Sequence, residues 1–147
     1  MMIVIIVFTV LALDQFSKYL ITNNLSLHQS VPVINGIFHI TLVHNRGAAF
    51  GLLKGQLYLF MLASLGAIIL IGLHLKQQRG KRLDLYTFSL TLILAGALGN
   101  LIDRAMFGHV IDFLDFRVWP VFNIADSAIT VGAILLGWKI CIRSSAK

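Results

Sequence analysis

The stretch LYLFMLASLGAIILIGLHL, residues 57–75, decides the fold class, because it is long, apolar and free of charged side chains. A helix needs about 20 mostly apolar residues to cross the hydrocarbon core of a bilayer. Three further stretches are similarly long and apolar, at residues 2–21, 85–102 and 121–138; the first contains Asp14 and Lys18, and the last contains Asp126. In lipid only helices and closed β-barrels satisfy all their backbone hydrogen bonds internally. These stretches lack the alternation of polar and apolar residues that is typical of barrel strands. We therefore predict an all-α membrane protein with four transmembrane helices.

The composition of the whole chain supports this class. Hydrophobic residues make up 58% of the 147 residues and charged residues only 12%, against about 25% charged residues in soluble domains. So few charges cannot cover the surface of a soluble enzyme. The single cysteine excludes an internal disulfide and a four-cysteine metal site. The first stretch has neither a basic leader nor a small-residue cleavage site, so we interpret it as a retained span. One membrane-embedded domain is expected over residues 1–147.

Lysine and arginine are unevenly distributed between the two sides of the predicted membrane. Seven lie in the loop after the second stretch and in the C-terminal tail, and four lie in the first and third loops. Because positive residues are retained in the cytoplasm, we expect both termini there and the first and third loops outside. The basic loop KQQRGKR, residues 76–82, is short and lacks aromatic side chains, so it does not indicate nucleic-acid binding.

The two outer loops contain segments that we expect to lie outside the membrane. Residues 31–35 (VPVIN) and 39–43 (HITLV) have the composition of strands, and the turn-rich segment HNRGAAFG follows at residues 44–51. We expect a small extracytoplasmic sheet on the membrane surface. The second outer segment, residues 103–120, contains GHVIDFLDF, which is either a short amphipathic surface helix or an extended strand.

The acidic residues are all aspartates, and no glutamate occurs. A short, rigid carboxylate suits positions where geometry matters, so this bias hints at a site. Three of the six lie together in the second outer segment, namely Asp103, Asp112 and Asp115, and two more, Asp14 and Asp126, lie inside or at the edge of apolar stretches.

The fourth predicted helix has one polar face, formed by Asn123, Asp126, Ser127 and Thr130. An ionisable side chain inside the membrane costs about 2.5–3.5 kcal/mol at the helix centre and less near the interface. Asp126 is therefore retained either for function or to pair with Arg104 or Arg117.

Two other helices carry polar residues at their outer ends. Asn100, Asp103 and Arg104 share one face of the third predicted helix. Asp14 and Lys18 are four residues apart on the first, which is the spacing of an ion pair. For that pair we expect a supporting role rather than a catalytic one, with the lysine reaching toward the interface.

Asp112 and Asp126 suggest the chemistry. They bracket the entry into the fourth helix, and the chain can fold back so that their carboxylates meet. Two adjacent carboxylates with little water cannot both ionise cheaply, so one keeps a proton. One can then activate a water while the other polarises a carbonyl, which is aspartic protease chemistry and needs no metal or cofactor.

Other chemistries have less support in the sequence. It contains neither the H-E-x-x-H motif of zinc proteases nor the G-x-S-x-G motif of serine hydrolases. A small proton-coupled transporter, or a non-enzymatic membrane factor with structural aspartates, remains the alternative. Against transport, the polar residues crowd the outer interface, and the second and third helices carry no charge through their cores.

Five segments in this order resemble the bacterial lipoprotein signal peptidases, the signal peptidase II family: LDQFSK (13–18), VHNRGAAFG (43–51), GALGNLIDR (96–104), VIDFLDF (110–116) and FNIADSAI (122–129). The resemblance covers essentially the whole chain. It implies a multi-pass aspartic endopeptidase of the bacterial cytoplasmic (inner) membrane, with its active site near the outer face. Such an enzyme removes signal peptides from prolipoproteins, cutting before the lipidated cysteine.

The resemblance also assigns residues and partners. The catalytic pair maps to Asp112 and Asp126. Supporting positions map to Asp14, Lys18, Asn45, Gly47, Asn100, Asp103, Arg104 and Asn123. The expected partners are lipidated prolipoproteins, membrane lipids and cyclic peptide inhibitors of the globomycin type, with no nucleic acid, metal or cofactor, and the protein is expected to be a monomer. From its amide chemistry we expect Asn45 to hold the substrate backbone at the entrance, with Gly47 allowing close approach.

Overall fold

Four helices and three strands make up the computed structural model, which describes residues 1–47, 56–78, 80 and 82–145. The helices are α1 (Met2–Asn24), α2 (Leu57–Gln77), α3 (Leu85–Phe107) and α4 (Ile124–Ser145). The strands are β1 (Ser30–Ile34), β2 (Phe38–Asn45) and β3 (Val110–Asp115). Part of the turn-rich segment, residues 48–51, and four basic residues used to predict the orientation lie outside the described residues: Lys54, Arg79, Lys81 and Lys147.

All four helices are long and apolar enough to cross a membrane, which confirms the predicted fold class. α3 is the central helix, because it packs against α1, α2 and α4, most extensively against α4. Small residues allow this approach: a Cβ added at Gly96 would meet the main-chain oxygen of Ala125. Close backbone contact at small residues is the usual basis of helix packing in lipid.

The helix ends differ from the predicted spans, because capping rather than hydropathy sets them. α3 continues past residue 102 to Phe107 and ends at Gly108, whose φ of 72° is left-handed and whose N–H bonds to the Arg104 carbonyl. α4 begins at Ile124 rather than at residue 121, since Phe122 pairs with Leu114 of β3. α1 and α2 each run two or three residues beyond the predicted ends.

The strands form one antiparallel sheet in the order β1-β2-β3. The two predicted strand segments form the antiparallel hairpin of β1 and β2, which turns at Gly36 with a φ of 75°. The second outer segment, which the sequence leaves open between helix and strand, forms β3. Its residues are almost all buried, so β3 brings Asp112 into the protein interior between β2 and the start of α4.

Candidate active site

Asp112 and Asp126 come from different elements and are linked through shared amides. Asp112 lies on β3 and is 1% exposed, and Asp126 lies in the first turn of α4. The side-chain amide of Asn123 donates to Asp112 Oδ1 at 2.7 Å and to Asn100 Oδ1 at 3.1 Å. Asn100 in turn donates to Asp126 Oδ1 at 2.7 Å. Two amides therefore connect the two carboxylates across α3, β3 and α4.

Asn123 also starts α4. Its side-chain oxygen accepts the N–H of Asp126 at 2.8 Å, and Asp126 Oδ2 accepts the N–H of Asn123 at 3.3 Å. This reciprocal pattern is a capping box, here built from Asn and Asp. The helix dipole also favours a carboxylate at this end. The local sequence N-x-x-D thus fixes the position of Asp126.

A third amide reaches Asp112 from β2. Asn45 Nδ2 donates to Asp112 Oδ2 at 2.9 Å, and Asn45 Oδ1 accepts the N–H of Gly47 at 3.0 Å. Both ends of this amide are therefore engaged within the protein. The amide of Asn45 thus orients a candidate catalytic group, and the expectation that it also holds the substrate backbone stays a prediction.

The surroundings of Asp112 favour its protonated form. Burial raises the pKa of Asp112 to about 7, and the neighbouring Asp126 carboxylate contributes to the rise. Hydrogen bonds from Asn45 and Asn123 and the charge of Lys18 act in the opposite direction. A carboxyl group with this pKa exchanges its proton near neutral pH, as a general acid or base requires.

A cavity of about 630 Å³ opens beside Asp126. Ser127 and Thr130, predicted to share the face of Asp126, also line it. The remaining described lining includes Asn45, Gly47, Asn100, Arg104 and a largely apolar wall of Val110, Phe116, Trp119, Pro120, Val121, Phe122, Ile129 and Val131. Asp112 is not among the described lining residues, because Asn45 and Asn123 cover it.

The predicted ion pair on α1 is part of a larger cluster. Lys18 Nζ lies 2.8 Å from Asp14 Oδ2, as its spacing predicts, and also 2.8 Å from Asp103 Oδ2 on α3. Lys18 is only 2% exposed, so the expectation that it reaches toward the interface is wrong: the two carboxylates draw its ammonium inward.

Neither arginine forms the ion pair that the sequence allows for Asp126. Among the described residues, Arg117 pairs with Asp115 at 3.0 Å. The Arg104 guanidinium lies 5.3 Å from the centre of the Phe60 ring, and Arg104 lines the cavity without an ion pair of its own. Asp126 is thus held by amides rather than by a countercharge.

Gln15 is the site residue that the sequence reasoning missed. Its side-chain amide donates to Asp103 Oδ1 at 2.9 Å and to Asp14 Oδ2 at 3.1 Å. It therefore joins the same two carboxylates as Lys18. The available signal was an amide side chain next to Asp14 in an otherwise apolar stretch.

A family model and several relatives of known name indicate the same family for this chain. Residues 6–142 match the family described as signal peptidase (SPase) II. A lipoprotein signal peptidase from Halothermothrix orenii is 47% identical over 92% of this chain and 92% of its own length. One from Moorella thermoacetica is 50% identical over 90% of this chain and 88% of its own length. One from Caldanaerobacter subterraneus subsp. tengcongensis is 46% identical over 99% of this chain and 100% of its own length.

Two solved structures, both described as bacterial membrane enzymes determined by the in meso method, share the fold. One, at 2.3 Å resolution, superposes with a TM-score of 0.91 over 99% of this chain and 91% of its own, at 33% identity. The other, at 1.9 Å resolution, superposes with a TM-score of 0.84 over 95% of this chain and 92% of its own, also at 33% identity. Sequence and fold agree over nearly the whole chain, and this chain belongs to the signal peptidase II family.

Proposed function

We propose that this protein is an aspartic endopeptidase that removes signal peptides from lipidated prolipoproteins, with Asp112 and Asp126 as its catalytic pair. Membership in the family and the name of the relatives support the peptidase activity and its substrate class. The observation that carries the catalytic type is the joint anchoring of a buried and a half-buried carboxylate, Asp112 and Asp126, by three asparagine amides beside a largely apolar cavity.

In the proposed reaction the pair shares one proton. The ionised carboxylate accepts a proton from a water molecule as the water oxygen attacks the scissile carbonyl carbon. The protonated carboxyl donates its proton to the carbonyl oxygen, so a neutral tetrahedral diol forms. When the diol collapses, the C–N bond breaks, the leaving nitrogen takes a proton from the pair, and a hydroxyl proton returns to the pair. Each carboxyl therefore acts once as acid and once as base.

The three asparagine amides prepare the pair for this cycle. Each donates an N–H to a carboxylate oxygen at 2.7–2.9 Å. Because these donors are fixed before substrate arrives, the carboxylates need little rearrangement during the reaction. Asp112, whose pKa is raised to about 7, can hold the shared proton at neutral pH.

We assign the apolar part of the cavity to the lipidated cysteine and the signal peptide next to it. The lining that includes Phe116, Trp119, Phe122 and Ile129 suits acyl chains, since each buried methylene contributes about 0.8 kcal/mol. A lipid anchor would also hold the scissile bond at a fixed depth beside Asp126, which is an orientation effect. Cleavage then falls before the lipidated cysteine.

Cyclic peptides of the globomycin type are proposed to bind the same cavity. The polar groups around Asp126 can bond to the peptide groups of such a ring. Binding should therefore compete with the lipidated precursor.

The proposed orientation puts the pair at the outer face of the cytoplasmic membrane, with both termini in the cytoplasm. Seven lysines and arginines on one predicted side against four on the other support it. A reporter fused after Lys147 is expected to read as cytoplasmic, and one inserted near Gln29 as external. The opposite pattern would put the proposed site on the wrong side of the membrane for exported substrates.

The experiment that tests the proposal compares two precursors with purified protein in lipid. The lipidated prolipoprotein should be cut before its modified cysteine, and the same precursor without lipid should be cut at a much lower rate. Chelators should leave the rate unchanged. A transporter or a non-enzymatic factor would cut neither precursor, and equal cleavage of both would remove the assigned role of the lipid.

A further inference from the structure

Three buried charged residues take no direct part in the proposed reaction. Lys18 Nζ bridges Asp14 Oδ2 and Asp103 Oδ2 at 2.8 Å each, and all three residues are buried. Of the described residues that line the cavity, none is a member of this triad. The triad can therefore act on the reaction through its charge and through the groups that it holds.

Two of these groups are main-chain N–H groups, and a third is the Asn100 side-chain oxygen, to which Lys18 Nζ donates at 3.4 Å. Asp14 Oδ1 accepts the N–H of Ala125 at 2.9 Å, and Asp103 Oδ2 accepts the N–H of Ile111 at 3.1 Å. Ala125 and Ile111 are each the residue immediately before a member of the proposed catalytic pair. The two carboxylates thus hold the start of α4 and the middle of β3 at the points from which the catalytic side chains emerge.

We infer that Lys18 is a positioning residue: its single ammonium joins the two carboxylates that anchor the backbone before Asp112 and before Asp126, and so fixes the separation of the pair. This inference rests on the proposed function, because it concerns the geometry of that pair. It gives the buried triad a role beyond attaching α1 to α3.

The physical reason is that the two anchors depend on one cation. Without Lys18, Asp14 and Asp103 would be two adjacent buried anions, which repel each other in a medium of low dielectric constant. The amide of Gln15 also donates to both, at 3.1 and 2.9 Å, but it carries no charge. If the carboxylates move apart, the backbone before each catalytic residue moves with them. A misplacement of about 1 Å at reacting groups can cost about 100-fold in rate.

The first test replaces Lys18 by methionine, which keeps the length of the side chain and removes its charge. Lys18→Met should lower kcat about 100-fold and leave KM for the lipidated precursor within about two-fold of wild type, since Lys18 does not line the cavity. A triad that only attaches α1 to α3 would lower the amount of folded protein instead. The kcat of the folded fraction would then stay at the wild-type value.

The pH–rate profile gives a second readout. The charges that act on Asp112 include those of Asp126 on α4, which raises its pKa, and Lys18 on α1, which lowers it. Arg104 on α3 also interacts with Asp112 by charge, and the Lys18→Met variant leaves it in place. Removal of the Lys18 charge should therefore move the profile toward higher pH. An unchanged profile would show that the ammonium has no effect on the pair.

If Lys18→Met does not fold, two glycine variants test whether displacement of the triad lowers kcat. A Cβ at Gly99 would lie 2.6 Å from Asp14 Oδ2, so Gly99→Ala displaces the triad without removing a charge. A Cβ at Gly132 on α4 would lie 2.7 Å from the Ser89 carbonyl oxygen, so Gly132→Ala crowds α4 against α3 at a point away from the triad. Gly99→Ala should lower the kcat of folded protein at least about 10-fold, and Gly132→Ala should change it by less than about two-fold.

Folded Lys18→Met with the wild-type kcat, or equal losses in kcat for the two glycine variants, would overturn the inference. These results are distinguishable from failure of the proposed function. In that case the wild-type protein itself would not cut the lipidated precursor, and the inference would be lost with it.

Discussion

α2 and α3 have similar lengths but bury very different fractions of their surfaces. The most apolar window of α2 has a mean hydropathy of 2.1 and none of it is buried, whereas that of α3 has a mean hydropathy of 1.7 and is 44% buried. The buried residues of α3 include Asn100 and Asp103, which hold the site. The more apolar helix therefore has the surface of a lipid-facing helix, and the less apolar one forms the centre of the bundle. Within a membrane protein, polar residues rather than hydropathy identify the helix that organises the site.

The largest effect expected from this comparison comes from Asn100 on α3. Its amide bonds to Asp126, and its oxygen accepts from Asn123 and Lys18. Asn100→Ala should lower kcat by about 100–1000-fold, the scale of removing a fixed hydrogen-bond donor beside reacting groups. Ser64→Ala on α2, which removes a polar group of a helix without site residues, should keep the wild-type kcat. Comparable losses in the two variants would break the distinction between the helices.

A smaller effect is expected at Asn45, which reaches the same pair from β2 rather than from α3. Asn45→Ala leaves Asp112 Oδ2 without the amide donor of Asn45, which should cost about 1–3 kcal/mol in binding of the substrate or of a cyclic peptide inhibitor. Because the Asn45 hydrogen bond lowers the pKa of Asp112, its loss should raise that pKa and move the pH–rate profile toward higher pH. Unchanged affinity together with an unchanged profile would reduce Asn45 to a structural role.

The smallest effect is expected on the stability of the protein, in glycine variants of α3 and α2. A Cβ at Gly96 of α3 would meet the Ala125 carbonyl oxygen and lie 2.8 Å from Ile129 Cγ1, whereas one at Gly66 of α2 would meet nothing within 4 Å. Gly96→Ala should therefore destabilise the protein by about 1–3 kcal/mol. Gly66→Ala should leave stability unchanged or raise it by up to about 1 kcal/mol through helix propensity. Thermal unfolding in detergent measures both, and a larger loss at Gly66 would mean that α2 is packed.

The sequence was sufficient for the features that depend on local patterns. Four apolar stretches predicted the four helices, and the strand-like composition of residues 31–35 and 39–43 predicted the two strands β1 and β2. The spacing of Asp14 and Lys18 predicted their ion pair, because residues four apart on a helix are neighbours. These features need only the period of the secondary structure.

Contacts between elements could not be predicted in this way. The bridge from Lys18 to Asp103 joins two helices, and no spacing along the chain encodes it. Asp112 and Asp115 show the same limit: three residues apart, they would share a face on a helix but point to opposite faces on a strand. Because the segment is the strand β3, Asp112 faces the amides of the site and Asp115 bonds to Thr41 and Arg117.

The measurement that tests the central claim most directly is the turnover of the lipidated precursor by matched aspartate variants of purified, folded protein. Asp112→Asn and Asp126→Asn should each remove nearly all turnover, because neither can then share a proton across the pair. Asp84→Asn is the control, since Asp84 caps α3 through the N–H of Thr87 at 2.9 Å and asparagine caps equally well. It should keep the wild-type rate. Wild-type turnover in either Asp112→Asn or Asp126→Asn would contradict the assignment of the catalytic pair.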